Sequence, residues 1–155
     1  MAPAAAVAAA ALVGVAAVAA RLVEAGFLQR FHPLVSGYVA IVLHPIGAAL
    51  MILFGVPLAS AFAVLHGASV GLMTIVKGTL PLALFGAQGF GHRAGWLEAP
   101  SRVVQAATPL LFGLALERLH GGAIWISFTA GTMGLGALLL AGHYTRKAAH
   151  APNPA

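Results

Sequence analysis

The stretch FHPLVSGYVAIVLHPIGAALMILFGVPLASAFAVLHGASVGLMTIV, residues 31–76, is a run of 46 residues without one charged side chain. A helix crossing the hydrocarbon core of a bilayer needs about 20 such residues, so the run is long enough for two crossings. Gly55-Val56-Pro57 lies near its middle. Gly and Pro together punctuate a helix. The run therefore predicts one spanning helix over 34–54 and another beginning at Leu58 and reaching Phe85, interrupted near Gly78 and Pro81.

The rest of the chain follows the same pattern. Among the first twenty residues twelve are Ala, four are Val and none is charged. Ala17-Val18-Ala19 resembles a signal-peptide cleavage site, but no Lys or Arg precedes the apolar stretch, as a signal peptide requires. The segment reads as a first, weakly apolar spanning helix over 4–23. A polar loop, Gly86 to Glu98, precedes a fourth helix over 100–117, with a kink at Pro109. Glu117 to Gly122 is the next turn, and a fifth helix covers 123–141. Residues 146–155 form a short basic, Pro-containing tail. The expected fold class is all-α, a polytopic membrane bundle of about five helices.

Composition supports that reading. Of 155 residues 61% are hydrophobic and 7% charged, and the mean hydropathy is +0.97. Soluble domains carry about 25% charged residues. There is no Cys and no Asp, which excludes disulfides, thiol chemistry and paired-Asp catalysis. The seven His are scattered, none at the i, i+4 spacing of a helical zinc site. No hydrolase, phosphate-binding or metalloprotease motif occurs. The chain reads as a non-enzyme without cofactor or metal. The net charge of +5 comes from single basic residues between apolar runs, not from a basic stripe, so nucleic acid is not a partner. Arg21, Arg30, Arg93, Arg102, Arg146 and Lys147 fall on alternate connections, against Arg118 alone opposite. That bias puts the six-rich side and the C-terminus in the cytoplasm.

Few polar residues lie at membrane depth. Lys77 is the only Lys or Arg between Phe31 and His92, and an intramembrane cation marks either a site or a side chain that snorkels to the interface. Eleven steps of about 100° bring His66 onto nearly the same helix face. His66, Ser69, Met73 and Lys77 thus form a polar stripe, a candidate solute path with proton coupling at His66. His44 precedes Pro45 in the second helix, a second candidate position, because broken helices line cavities in transporters. Gln105 needs a partner on another helix. Gly67, Gly71 and Gly78 form a small-residue packing face about 90° from the stripe. Arg21, Glu24, Arg30 and Arg93 are placed in cytoplasmic loops, where Glu24 has Arg21, Arg30 and Arg93 within reach.

The stretch Gly67 to Leu82, with Gly86-Ala87-Gln88-Gly89-Phe90-Gly91-His92-Arg93-Ala94-Gly95 after it, resembles the tenth helix and following loop of bacterial major facilitator superfamily transporters. Arg93-Ala94-Gly95 is similar to that loop's Arg-Gly signature. Gln105 to Pro109 resembles helix eleven, and 123–141 helix twelve. Ala20 to Pro33 is similar to the end of helix eight and the loop to helix nine, with Glu24 and Arg30 where the family often has an Asp-Arg pair. The resemblance implies the C-terminal portion of a secondary transporter, helices eight to twelve. It implies a small solute moved across the bacterial cytoplasmic membrane by an ion gradient, and an N-terminal half or a second copy as partner. The alternative is a small multi-pass membrane interaction protein without transport of its own.

Overall fold

The computed structural model describes the backbone of residues 2–149 and the side chains of residues 2–145. Among them there are five α-helices and no strand: α1 (Pro3–Gly26), α2 (Pro33–Phe54), α3 (Ala59–Phe85), α4 (Phe90–Leu119) and α5 (Ile124–Ala149). Four apolar segments are long enough to cross a membrane, Pro3–Arg30, Pro33–Phe54, Val56–Phe85 and Phe90–Thr145. The last contains both α4 and α5 with a 3₁₀ turn between them. The tail expected over 146–155 lies outside the described residues, apart from the backbone of 146–149, which continues α5.

The helix ends have local causes. Pro33 opens α2 at a position whose N–H has no helical partner, and His32 caps it by accepting from the Leu34 N–H at 3.2 Å. Gly55 and Gly86 stop α2 and α3 with φ of +72°, a conformation that costs glycine nothing. Arg93 Nη1 donates to the Phe85 carbonyl at 2.8 Å, placing a cation on the last turn of α3.

α4 begins ten residues before the expected Pro100. The polar segment read as a loop is helical from Phe90, and Pro100 lies inside the helix. Thirty residues rise about 45 Å, roughly 15 Å more than the hydrocarbon core. The surplus matches the polar first ten residues, which hydropathy separates from the apolar part but which hydrogen-bond as helix all the same. The connection to α3 shrinks to the few residues around Gly86 and Gly89.

α3 is the hub: α1, α2 and, over a short stretch, α4 pack on it, and α5 packs on α2. The buried positions are mostly small. They include Ala16, Ala17 and Ala20 of α1, Ser36, Ala40 and Ala48 of α2, and Ala63, Gly67 and Gly71 of α3. Large apolar residues such as Val15, Leu22, Leu53, Val103 and Leu110 face outward and are more than half exposed. Small inside and large apolar outside is the arrangement of helices that pack against each other in lipid, where close backbone approach replaces hydrophobic burial.

Candidate functional site

The glycine face defines where α3 is closed. A Cβ at Gly67 would lie 2.8 Å from the Val13 Cα, and one at Gly71 would lie 2.9 Å from the Ala17 Cα, with the carbonyl oxygens nearer still. These two glycines therefore seat α1 directly on α3. Gly78 does not join them. Nothing lies within 4 Å of where its Cβ would be, because Gly78 borders the space between α3 and α4.

A neighbouring side of α3 is open. Between α3 and α4 lies a cavity of about 590 Å³ whose walls include Ser69, Met73, Thr74 and Lys77 from α3, and Glu98, Arg102 and Gln105 from α4. Glu98 and Arg102 form an i, i+4 pair, Nη2 to Oε2 at 2.8 Å. It is the one ion pair among the described residues, so Lys77 has no carboxylate partner there. Arg21, near the end of α1, reaches the rim, where its Nη2 donates to Thr74 Oγ1 at 3.4 Å. The walls thus carry two cations and one carboxylate, with a third cation at the edge. No residue of α4 is buried.

Three of the expected path residues, Ser69, Lys77 and Gln105, share this chamber. Gln105 has no partner on another helix among the described residues. Its amide donates to Ser101 Oγ, one turn back on α4, at 2.9 Å; a nearby hydroxyl on the same helix satisfies it without a neighbour. Arg102, counted at a connection, lies well inside α4 because that helix starts early.

His66 shares the face of Ser69 and Lys77 but is not among the chamber walls. Its Nδ1 lies 2.9 Å from the Nδ1 of His44 across the α2–α3 interface. The two residues named separately as path candidates are thus one pair. The Phe62 ring stacks on His66, centroids 5.6 Å apart and planes 13° from parallel. α5 closes over His44: a Cβ at Gly131 would lie 2.9 Å from His44 Cδ2 and 3.2 Å from Pro45 Cδ.

The four residues assigned to loops are mostly elsewhere. Arg21 and Glu24 belong to α1, Arg93 to α4, and only Arg30 lies in a connection, the 3₁₀ turn Leu28–Arg30. Glu24 is buried and pairs with no Arg among the described residues. Both its oxygens accept from Ser36 Oγ, at 3.0 and 2.8 Å. A carboxylate folded inward at the α1–α2 corner takes the nearest buried donor, and the arginines remain exposed.

Several features were not read from the sequence: the Glu24–Ser36 contact, Glu98 in the chamber, and the glycines that seat α5. Gly131 and Gly142 are eleven residues apart, the spacing that aligned His66 with Lys77, and both meet α2, at His44 and Tyr38. That spacing was the available signal. Among the described residues no three His, Cys, Asp or Glu side chains come together in a way that could hold a metal ion. No protein-family model, no curated protein and no solved structure matches the chain.

Proposed function

We propose that this chain is the C-terminal portion of a secondary active transporter of the major facilitator type, and that it moves a small solute through the α3–α4 chamber. The chamber is the observation that carries the reading. A space of about 590 Å³ bordered by Lys77, which has no ion partner among the described residues, and by Glu98, Arg102 and Gln105 suits a passing polar molecule better than lipid. The excess of cations in and around it favours a solute with an anionic group. α4, with no buried residue, offers its chamber side to a facing surface; a second transporter half supplies one in the alternating arrangement, where one half rocks against the other. In this reading each of the five helices crosses the membrane and the C-terminus is cytoplasmic, as the count of basic residues along the sequence implies.

The exposed flank of α4 also supports a second reading, a membrane interaction protein that docks this side on a larger complex without transporting anything.

The test is uptake of small radiolabelled carboxylates into membrane vesicles from cells that make the chain at its natural level, with and without Lys77→Met. The expected result is a loss of uptake of at least tenfold, with equal amounts of protein in the membrane. Lys77 has no ion partner among the described residues, so stability should change by less than about 0.5 kcal/mol. Equal uptake by vesicles with and without the chain, together with its capture in a larger complex by crosslinking, would replace the transporter reading with the docking one.

A further inference from the structure

The His44–His66 pair lies outside the chamber, and its geometry restricts its chemistry. Two Nδ1 atoms 2.9 Å apart are at hydrogen-bond distance. One nitrogen must carry a hydrogen and the other a lone pair. Two N–H groups, or two lone pairs, facing each other at this distance repel. A shared metal ion fits poorly. Two Zn–N bonds of about 2.0 Å at a tetrahedral angle hold the nitrogens about 3.3 Å apart, and no third ligand of the usual kinds is gathered nearby among the described residues.

The direction of the hydrogen bond follows from α5. Cδ2, the atom of the His44 ring that faces Gly131, adjoins Nε2, so this edge of the ring is turned to α5. With Nε2 of His44 turned to α5, we place its hydrogen there and the lone pair on Nδ1. His66 donates from Nδ1, which leaves Nε2 of His66 as the free basic nitrogen of the pair. Phe62 lies flat against this ring, where an aromatic face stabilises a cation.

We propose that His44 and His66 together form one proton-binding site, which takes up a single proton at His66 Nε2 and holds the resulting imidazolium between the His44 lone pair and the Phe62 face. The neutral pair has two ring N–H groups and the loaded pair three, with the bond between the two rings intact. A fourth would set two N–H groups against each other, so the site loads one proton and resists the second. Among the described residues no other titratable group faces it. α1 carries none from Pro3 to Ala20, α2 none from Val39 to Phe54 besides His44, α3 none from Ala59 to Val76 besides His66, and α5 none from Ile124 to Gly142. α4 hydrogen-bonds neither ring among the described residues, and its Glu98 and Arg102 line the chamber instead. The site joins α2, α3 and α5 one turn from Ser69. A role for it in driving solute movement rests on the transporter reading; the proton binding does not.

The experiment is nitrogen NMR of the full chain, with ¹⁵N-labelled histidine, in lipid nanodiscs. Wild-type protein should show a scalar coupling between two Nδ1 nuclei across a hydrogen bond. Titration should load one proton per pair while the coupling persists. His44→Gln and His66→Gln should each abolish the coupling and shift the resonances of the remaining ring. Absence of the coupling in the wild type, with two rings titrating independently, would overturn the proposal even if neither variant folds. Uptake separates the two readings. A coupled pair with uptake indifferent to a pH gradient leaves the site standing and ends its transport role. Gradient-driven uptake without a coupled pair removes this site and leaves the transporter.

Discussion

Gly67 and Gly78 sit on the same helix, eleven residues apart and within about 20° of the same face, yet one is pressed against backbone and the other faces open space. Angle is the same; height is not. The α1 backbone presses on α3 at Val13 and Ala17, so a glycine is indispensable there, whereas Gly78 lines the space between α3 and α4. The wider contrast is between the α1–α3 seam, closed by small residues, and the α3–α4 side, held open around polar ones. The seam holds the fold together, and the open side is available for function.

The strongest way to break this contrast is to put the same bulk at both glycines. Gly67→Leu has no room, since the obstructing atoms are the Val13 backbone and not a side chain that can turn away. It should cost on the order of 3 kcal/mol or more by forcing α1 off α3. Gly78→Leu should cost less than about 0.5 kcal/mol. Thermal unfolding in detergent, followed by circular dichroism, compares them directly. Equal melting temperatures would mean that α1 is not seated on Gly67.

This also shows what a sequence of this kind discloses. The spans near 34–54 and 58–85 were legible because 46 uncharged residues and one Gly-Val-Pro break leave little choice. The start of α4 was not, because hydropathy finds where an apolar segment begins and the helix starts ten residues earlier, at Phe90. Periodicity placed Ser69 and Lys77 on one face, and they do share a chamber. It could not pair His44 with His66, because that depends on how far α2 has slid along α3, a register that no single helix encodes. Glu24 was misplaced for a related reason. Its partner is twelve residues on, beyond a turn, and nothing in the spacing ranks Ser36 above the nearby arginines.

A second, smaller effect sharpens the comparison at the end of the seam. At the α1–α2 corner, Ser36 holds the buried Glu24 carboxyl with both oxygens engaged. Ser36→Ala removes that donor and leaves the carboxyl buried without it, which should cost about 1–3 kcal/mol. Ser36→Thr keeps a hydroxyl and should recover part of the loss. The same unfolding assay reads both, and an Ala variant as stable as the wild type would show that the corner is held by packing alone.

The smallest effect on stability falls on the open side. Glu98 and Arg102 are a turn apart on one helix, with the Arg102 side chain 68% exposed and that of Glu98 33%. A pair of this kind contributes about 0.2–0.5 kcal/mol, so Glu98→Gln should leave the melting temperature almost unchanged. Its effect on the chamber is of another kind. Glu98 is the one carboxylate among the chamber walls, and removing it frees Arg102 and leaves Lys77 and Arg102 facing the same space without a counter-charge. If the chamber receives an anionic group, the variant should take up carboxylates with a lower KM, by severalfold, and lose the effect as salt is raised and the cations are screened. A chamber that is only a gap between poorly packed helices predicts no change in KM at any salt concentration. The seam fails by unfolding, whereas the open side changes in what it binds while the fold stays intact, and one conservative substitution on each side distinguishes the two behaviours.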